Sequence, residues 1–259
     1  MMKRKVILIT VDGMRPDGLL QCGNEFVSEM MQRGAYTMEG CSLIPPVTLP
    51  CHYSIFKGIS PDKHGILTNI YTPPKQRVRG LCEQIKHSGG SCGMYYNWGP
   101  IRNVANAPVL KHAEYIWAYA DDNTDALLTE SLLYNVKRFD LDFAFLHMVE
   151  TDEKGGHDNG WMTETYLRHI HKAIDNVKRI LDEVGNEYTV IVIADHGGHE
   201  CGHGDNIPED MTVPMFFFGP DFEAGKKLFQ VSLLDLAPTV ADVMGIPVVP
   251  EWEGKSILS

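Results

Sequence analysis

The sequence predicts a three-layer α/β/α fold on a mostly parallel central sheet, and three observations carry that prediction. Short apolar runs rich in β-branched and aromatic residues recur along the chain, helical patterns separate them, and the connections are long enough for crossovers. A chain of 259 residues with an ordinary apolar share buries a full core without disulfides, so one domain over 1–259 is expected.

The first strand is expected at 6–11. Met1 to Lys5 and the apolar run after it imitate a secretory leader. That run is too short, however, and ends at Asp12-Gly13 with no small-residue cleavage site. A helix is expected at 24–33. Residues 71–121 are the least regular part, interrupted by Pro73-Pro74, Gly99-Pro100 and Pro108; they suggest a small cap or substrate-side loop, with a helix at 80–88 and a strand at 91–96 inside it. Further strands are expected at 143–149, 188–194 and 213–218, and helices at 125–138 and 163–184. In the last, Ile170, Ile174, Val177 and Leu181 return at three- and four-residue steps. No repeat or low-complexity tract is present, and no pattern sets an oligomeric state.

Composition excludes several classes of function. A formal charge of -11 argues against a nucleic-acid polymer as partner, because neutralising its phosphates needs clustered Lys and Arg. No stretch approaches the roughly 20 apolar residues that cross a bilayer, so no membrane association is expected. The six cysteines are scattered without a CxxC pair, which points to a reducing compartment and a cytoplasmic location without disulfides.

Acidic residues fall where open α/β sheets bind their ligands, just beyond the carboxyl ends of strands. Asp12 closes the first strand, Asp152 follows 143–149, and Asp195-His196 ends 188–194. Singly these read as a turn, a solvated acid and a helix cap. Jointly they would repel one another unless cations sat between them. Carboxylates mixed with imidazoles suit zinc first, with manganese or iron as alternatives. Thr48 lies in Pro45-Pro46-Val47-Thr48-Leu49-Pro50-Cys51-His52, a proline-rich turn entering a helix. By itself it reads as a helix cap; beside a metal its hydroxyl becomes a nucleophile.

These residues, with Gly58-Ile59-Ser60-Pro61-Asp62-Lys63-His64-Gly65-Ile66, Gly156-His157-Asp158-Asn159-Gly160, Asp195-His196-Gly197 and the closing Leu234-Asp235-Leu236-Ala237-Pro238-Thr239, resemble the nucleotide pyrophosphatase/phosphodiesterase branch of the alkaline phosphatase superfamily over nearly the whole chain. The resemblance implies an alkaline phosphatase-like fold and two divalent metal ions. One would be held by Asp12, Thr48, Asp195 and His196, the other by Asp152, His157 and His203. Asn69 resembles the asparagine that hydrogen-bonds a phosphate oxygen; its bland alternative is a turn residue. The implied reaction is hydrolysis of a small phosphate ester, a phosphodiester or pyrophosphate of nucleotide type, through a phospho-threonine at Thr48. A phosphomonoesterase or phosphonate hydrolase of the same superfamily is the alternative. Leu49 departs from the aromatic residue that many nucleotide-cleaving relatives carry there. The alternative of another class is a non-catalytic metal- or phosphate-binding protein, which would be expected to lose ligands that this chain retains.

The match is looser at two points. The family pattern Asp-x-x-x-His is one residue longer here, from Asp152 to His157, which a bulge would absorb; Glu153 restores the usual spacing and is a rival ligand. His199, Cys201 and His203 alternate, so His199 or Cys201 competes with His203. His52 and His64 read as packing or hydrogen-bonding residues, and His112, His169 and His171 carry no assigned chemistry. Tyr95-Tyr96-Asn97-Trp98 reads as a strand-end core cluster before it reads as a nucleobase platform.

Overall fold

Residues 5 to 11, Lys-Val-Ile-Leu-Ile-Thr-Val, form a strand with six of its seven residues buried. Such a continuous apolar run suits the centre of a sheet covered on both faces. The computed structural model describes residues 4–258; Met1 to Lys3 of the leader-like start, and Ser259, lie outside the described residues.

From β1 (Lys5–Val11) the chain runs through α1 (Pro16–Gln21), α2 (Phe26–Arg33), β2 (Ala35–Cys41), α3 (Thr48–Lys57), α4 (Pro61–His64), α5 (Leu81–His87), β3 (Cys92–Tyr96), β4 (Leu110–Tyr115) and α6 (Thr124–Phe139). It continues through β5 (Phe143–Met148), a π-helical turn (Thr151–His157), α7 (Glu164–Val184), β6 (Tyr188–Ile193), α8 (Pro208–Met211), β7 (Thr212–Phe218) and α9 (Leu236–Met244). The seven strands form one sheet in the order β2-β7-β6-β1-β5-β3-β4. All pairings from β6 to β4 are parallel, while β7 runs antiparallel to both β6 and β2.

Helices cover both faces, α1, α2, α6 and α7 packing together on one and α3, α5 and α9 on the other. The stripe Ile170, Ile174, Val177 and Leu181 of α7 is buried, each side chain contributing about 1.5–3 kcal/mol of apolar transfer. Thr163 caps that helix, its hydroxyl accepting from the Tyr166 amide. No helix among the described residues is long and apolar enough to cross a membrane.

Two strands go beyond the sequence expectation. β2 and β4 lie at the two edges, where burial alternates or is partial and the local apolar signal is weak. Their strand state comes from pairing with β7 and β3. Residues 71–121, expected as a cap or substrate-side loop, place α5 in the helical layer and β3 and β4 in the sheet, so much of the segment belongs to the main body.

Candidate metal centre

The carboxyl ends of β6, β1 and β5 lie side by side, which brings together residues far apart in sequence. Asp12 follows β1 directly, Asp195 stands two residues beyond β6, and Asp152 enters the π turn beyond β5. Gly13, at φ +66°, lets the chain turn here; its amide donates to Asp195 Oδ1 at 3.3 Å. A Cβ on Gly13 would stand 2.7 Å from Asp152 Oδ1, so only glycine admits Asp152 this close.

Two groups of ligand-type atoms result, each with its atoms within 4.8 Å of one another: Asp12, Asp195 and His196, all buried, and Asp152, His157 and His203. The rings of His196 and His203 stack at 3.8 Å between centroids, joining the two groups. Thr48 opens α3, and its Oγ1 lies 3.1 Å from His196 Nε2. Asn69 accepts the Leu49 amide on Oδ1 at 3.0 Å, which holds its side chain at the start of α3 and leaves Nδ2 as a donor.

Each of the three imidazoles is fixed from behind. Nδ1 of His196 donates to the Gly197 carbonyl at 2.8 Å, that of His157 to Cys201 at 3.0 Å, and that of His203 to Pro46 at 2.9 Å. A carbonyl only accepts, so the hydrogen sits on Nδ1 and Nε2 presents its lone pair to the centre. This is the arrangement a ligating histidine needs.

The electrostatics fit cations as well. Burial pushes Asp12 well above the usual carboxylate range, and Asp195 and Asp152 push it further. Burial, then Asp195 and Glu153, do the same to Asp152. Burial also raises Asp195, but the imidazoles of His196, His52 and His147 outweigh it and hold that carboxyl low. His203 is pushed down to about 3 by burial and by His196. Asp12 Oδ1, Asp152 Oδ1 and Asp195 Oδ2 are buried without a hydrogen-bond partner. Three carboxylates crowded in one dry space, each with an oxygen to spare, match a site for divalent ions.

The rival candidates fall elsewhere. Glu153 receives the Tyr119 hydroxyl at 3.3 Å and belongs to neither group. His199 donates to the buried Asp210 at 2.8 Å, and Cys201 contributes its carbonyl to His157. His64 bonds Ser54 and the Ile66 amide, and Tyr95 is fully buried beside the core. Sequence reasoning missed two residues. His147 on β5, fully buried, reaches Asp12 Oδ2 with Nε2 at 2.8 Å. Trp161 donates Nε1 to the Gly13 carbonyl at 2.9 Å and packs against His157. A histidine inside the apolar run 143–149 was the available signal for the first; the second follows the quoted glycine-histidine motif directly.

Comparison with known proteins agrees with this geometry. Residues 6–126 match the type I phosphodiesterase / nucleotide pyrophosphatase family, and residues 98–248 match the metalloenzyme superfamily. The chain is 25% identical over 219 residues to ectonucleotide pyrophosphatase/phosphodiesterase family member 1 of Mus musculus, covering 74% of this chain but 24% of that longer protein. The fold superposes on murine ectonucleotide pyrophosphatase/phosphodiesterase 5, solved as an inactive variant in complex with AMP, with a TM-score of 0.82 at 14% identity, covering 97% of both chains. It also superposes on a phosphonate monoester hydrolase from Silicibacter pomeroyi with a TM-score of 0.75 at 15% identity, covering 98% of this chain and 76% of that one. The chain belongs to the metalloenzyme superfamily and has the alkaline phosphatase-like fold, and its residues 6–126 are similar to the type I phosphodiesterase/nucleotide pyrophosphatase family.

Proposed function

We propose that this chain is a two-metal hydrolase that cleaves phosphodiester or pyrophosphate bonds of nucleotide-type substrates through a phospho-threonine at Thr48. The observation that carries the reading is the position of Thr48 Oγ1, 3.1 Å from His196 Nε2 at the head of α3, beside two groups of metal-ligand type. Asp12, Thr48, Asp195 and His196 would hold one ion and Asp152, His157 and His203 the other, with zinc first and manganese or iron as alternatives. When bound, such ions supply Lewis acidity and offset the charge of the phosphate.

The chain's own groups then divide the remaining tasks. Thr48 Oγ1 attacks phosphorus as the bond to the leaving oxygen breaks, and water attacking the phospho-threonine returns Thr48 to its starting state. Asn69 Nδ2, freed by the Oδ1 contact to Leu49, donates to a non-bridging oxygen whose charge grows in the transition state. The carbonyl partners at Nδ1 of His196, His157 and His203 fix the ring orientations that turn Nε2 toward the centre. A cytoplasmic location belongs to the same proposal.

One observation favours a second reading, a phosphomonoesterase or phosphonate hydrolase. Leu49, next to the nucleophile, is fully buried and offers no face to a base. The test is a paired rate assay on zinc-loaded protein, a p-nitrophenyl nucleotide diester against p-nitrophenyl phosphate, with Thr48→Ala as control. Preference for the diester with a dead mutant supports the phosphodiesterase. Preference for the monoester moves the assignment to a phosphatase. No turnover of either, or of a phosphonate ester, with two ions bound, leaves a non-catalytic binder.

A further inference from the structure

Strand β5 is apolar except for His147, and every residue of it is buried. An imidazole taken out of water in such a strand is costly unless it is hydrogen-bonded, and a leucine or phenylalanine would pack there without that cost. Among the described residues the one hydrogen bond of the His147 imidazole is that to Asp12, Nε2 to Oδ2 at 2.8 Å; its Nδ1 is buried with no partner. The register explains the reach. His147 pairs with Thr10 on β1, two residues before Asp12, so its side chain emerges beside the base of that carboxylate.

Asp12 thereby has one oxygen engaged and one to offer. Oδ2 is taken by His147, while Oδ1, without a hydrogen-bond partner, lies 3.3 Å from His196 Nε2 and faces the group. Among the described residues the imidazoles that approach Asp152 are those of its own group, His157 and His203. The two candidate ion sites are therefore built differently: a buried donor from the sheet braces one carboxylate, and nothing equivalent stands behind the other.

We infer that His147 is a positioning residue, which by donating to Asp12 Oδ2 fixes Oδ1 as the oxygen that ligates the ion shared with Asp195 and His196. The inference rests on the two-metal reading above. With Asp12 ionised by its cation, the shared hydrogen sits on His147 Nε2. Removing that donor leaves a buried carboxylate oxygen unpaired and the carboxylate free to rotate, and outer-shell losses of this kind weaken metal affinity about 10- to 100-fold.

The experiment is a chelator-buffered titration with zinc alone on the full chain, read as bound metal rather than as turnover. It compares wild type, His147→Leu and His147→Gln, each also in an Asp152→Ala background that keeps only the Asp12 site. Glutamine places an amide donor near the position of Nε2. Expected are two ions on the wild-type chain, an Asp12 site about 10- to 100-fold weaker in His147→Leu, and recovery to within a few-fold in His147→Gln. Unchanged affinity in His147→Leu overturns the inference while leaving the two-metal reading intact. Equal weakening in the leucine and glutamine variants also overturns it, since packing alone would then account for the loss. If the leucine variant does not fold, His147→Asn replaces it: its donor falls short of Asp12, so an asparagine variant as tight as the glutamine one overturns the inference. Fewer than two ions on the wild-type chain would remove the reading on which it rests.

Discussion

His157 Nε2 lies 3.4 Å from Asp152 Oδ2 although the two are five positions apart in sequence. In an α-helix five residues advance about 500°, which would leave the two side chains about 140° apart. Here the Gly155 amide bonds the Glu150 carbonyl at 2.9 Å, an i to i+5 closure, and the wider turn returns His157 to the face of Asp152. The residue added to the family spacing is thus absorbed in the backbone, and the acid keeps its place in the group.

That turn leans on Trp161. A Cβ on Gly156 would meet the indole at 2.5 Å, so Gly156→Ala is expected to destabilise the chain by about 1–3 kcal/mol through overpacking. It is also expected to loosen zinc at Asp152, His157 and His203. Urea unfolding and a zinc titration check this. Wild-type values in both would show that the contact with Trp161 does not shape the turn.

Asn69 makes a donor and an acceptor contact that substitutions can separate. Asn69→Asp keeps an oxygen for the Leu49 amide but loses the donor, and is expected to retain wild-type thermal stability. Its kcat should fall about 10²- to 10³-fold, the usual loss for one transition-state donor. Steady-state kinetics at saturating zinc, beside a melting curve, decide it. A rate near wild type would reduce Asn69 to a helix-end contact.

Removing the ions should destabilise the fold, because the buried carboxylates then face one another unscreened. Chelation is expected to lower the melting temperature and abolish turnover, and each ion restored at 100 times its Kd returns about 2.7 kcal/mol. Zinc and manganese should restore both properties better than magnesium, since three of the candidate ligands are imidazoles. Differential scanning fluorimetry with each metal tests the order. A melting temperature indifferent to the chelator would argue against metal in these groups.

Away from the centre, burial and then the charge of Glu150 push Asp125 from its ordinary 3.8 up to about 8. A raised carboxyl binds a proton in the folded state that the unfolded chain has released. Stability therefore falls as pH rises from about 4 to about 8, by up to about 1.4 kcal/mol per pH unit from this group. Asp125→Asn should flatten that slope. Denaturant unfolding across the range measures it, and an unchanged slope would mean that Asp125 is ionised in the fold.

The sequence by itself determined the parallel centre of the sheet and the three strand ends that carry Asp12, Asp152 and Asp195. Continuous apolar runs and the acids that stop them are local signals, and motif order marked Thr48, His196 and His203. Tertiary structure decided the rest. The edge strands β2 and β4 exist through pairing, which a weak local pattern does not announce. The sequence favoured Asp152 over Glu153, but how Asp152 and the more distant His157 come to face each other was decided by a π turn whose extra residue has no local signature and rests on the packing of Gly156 against Trp161. His147 looked like one more core position until β5 was laid beside β1, because a hydrogen bond between residues 135 apart depends on sheet register, and register is settled only when the strands meet.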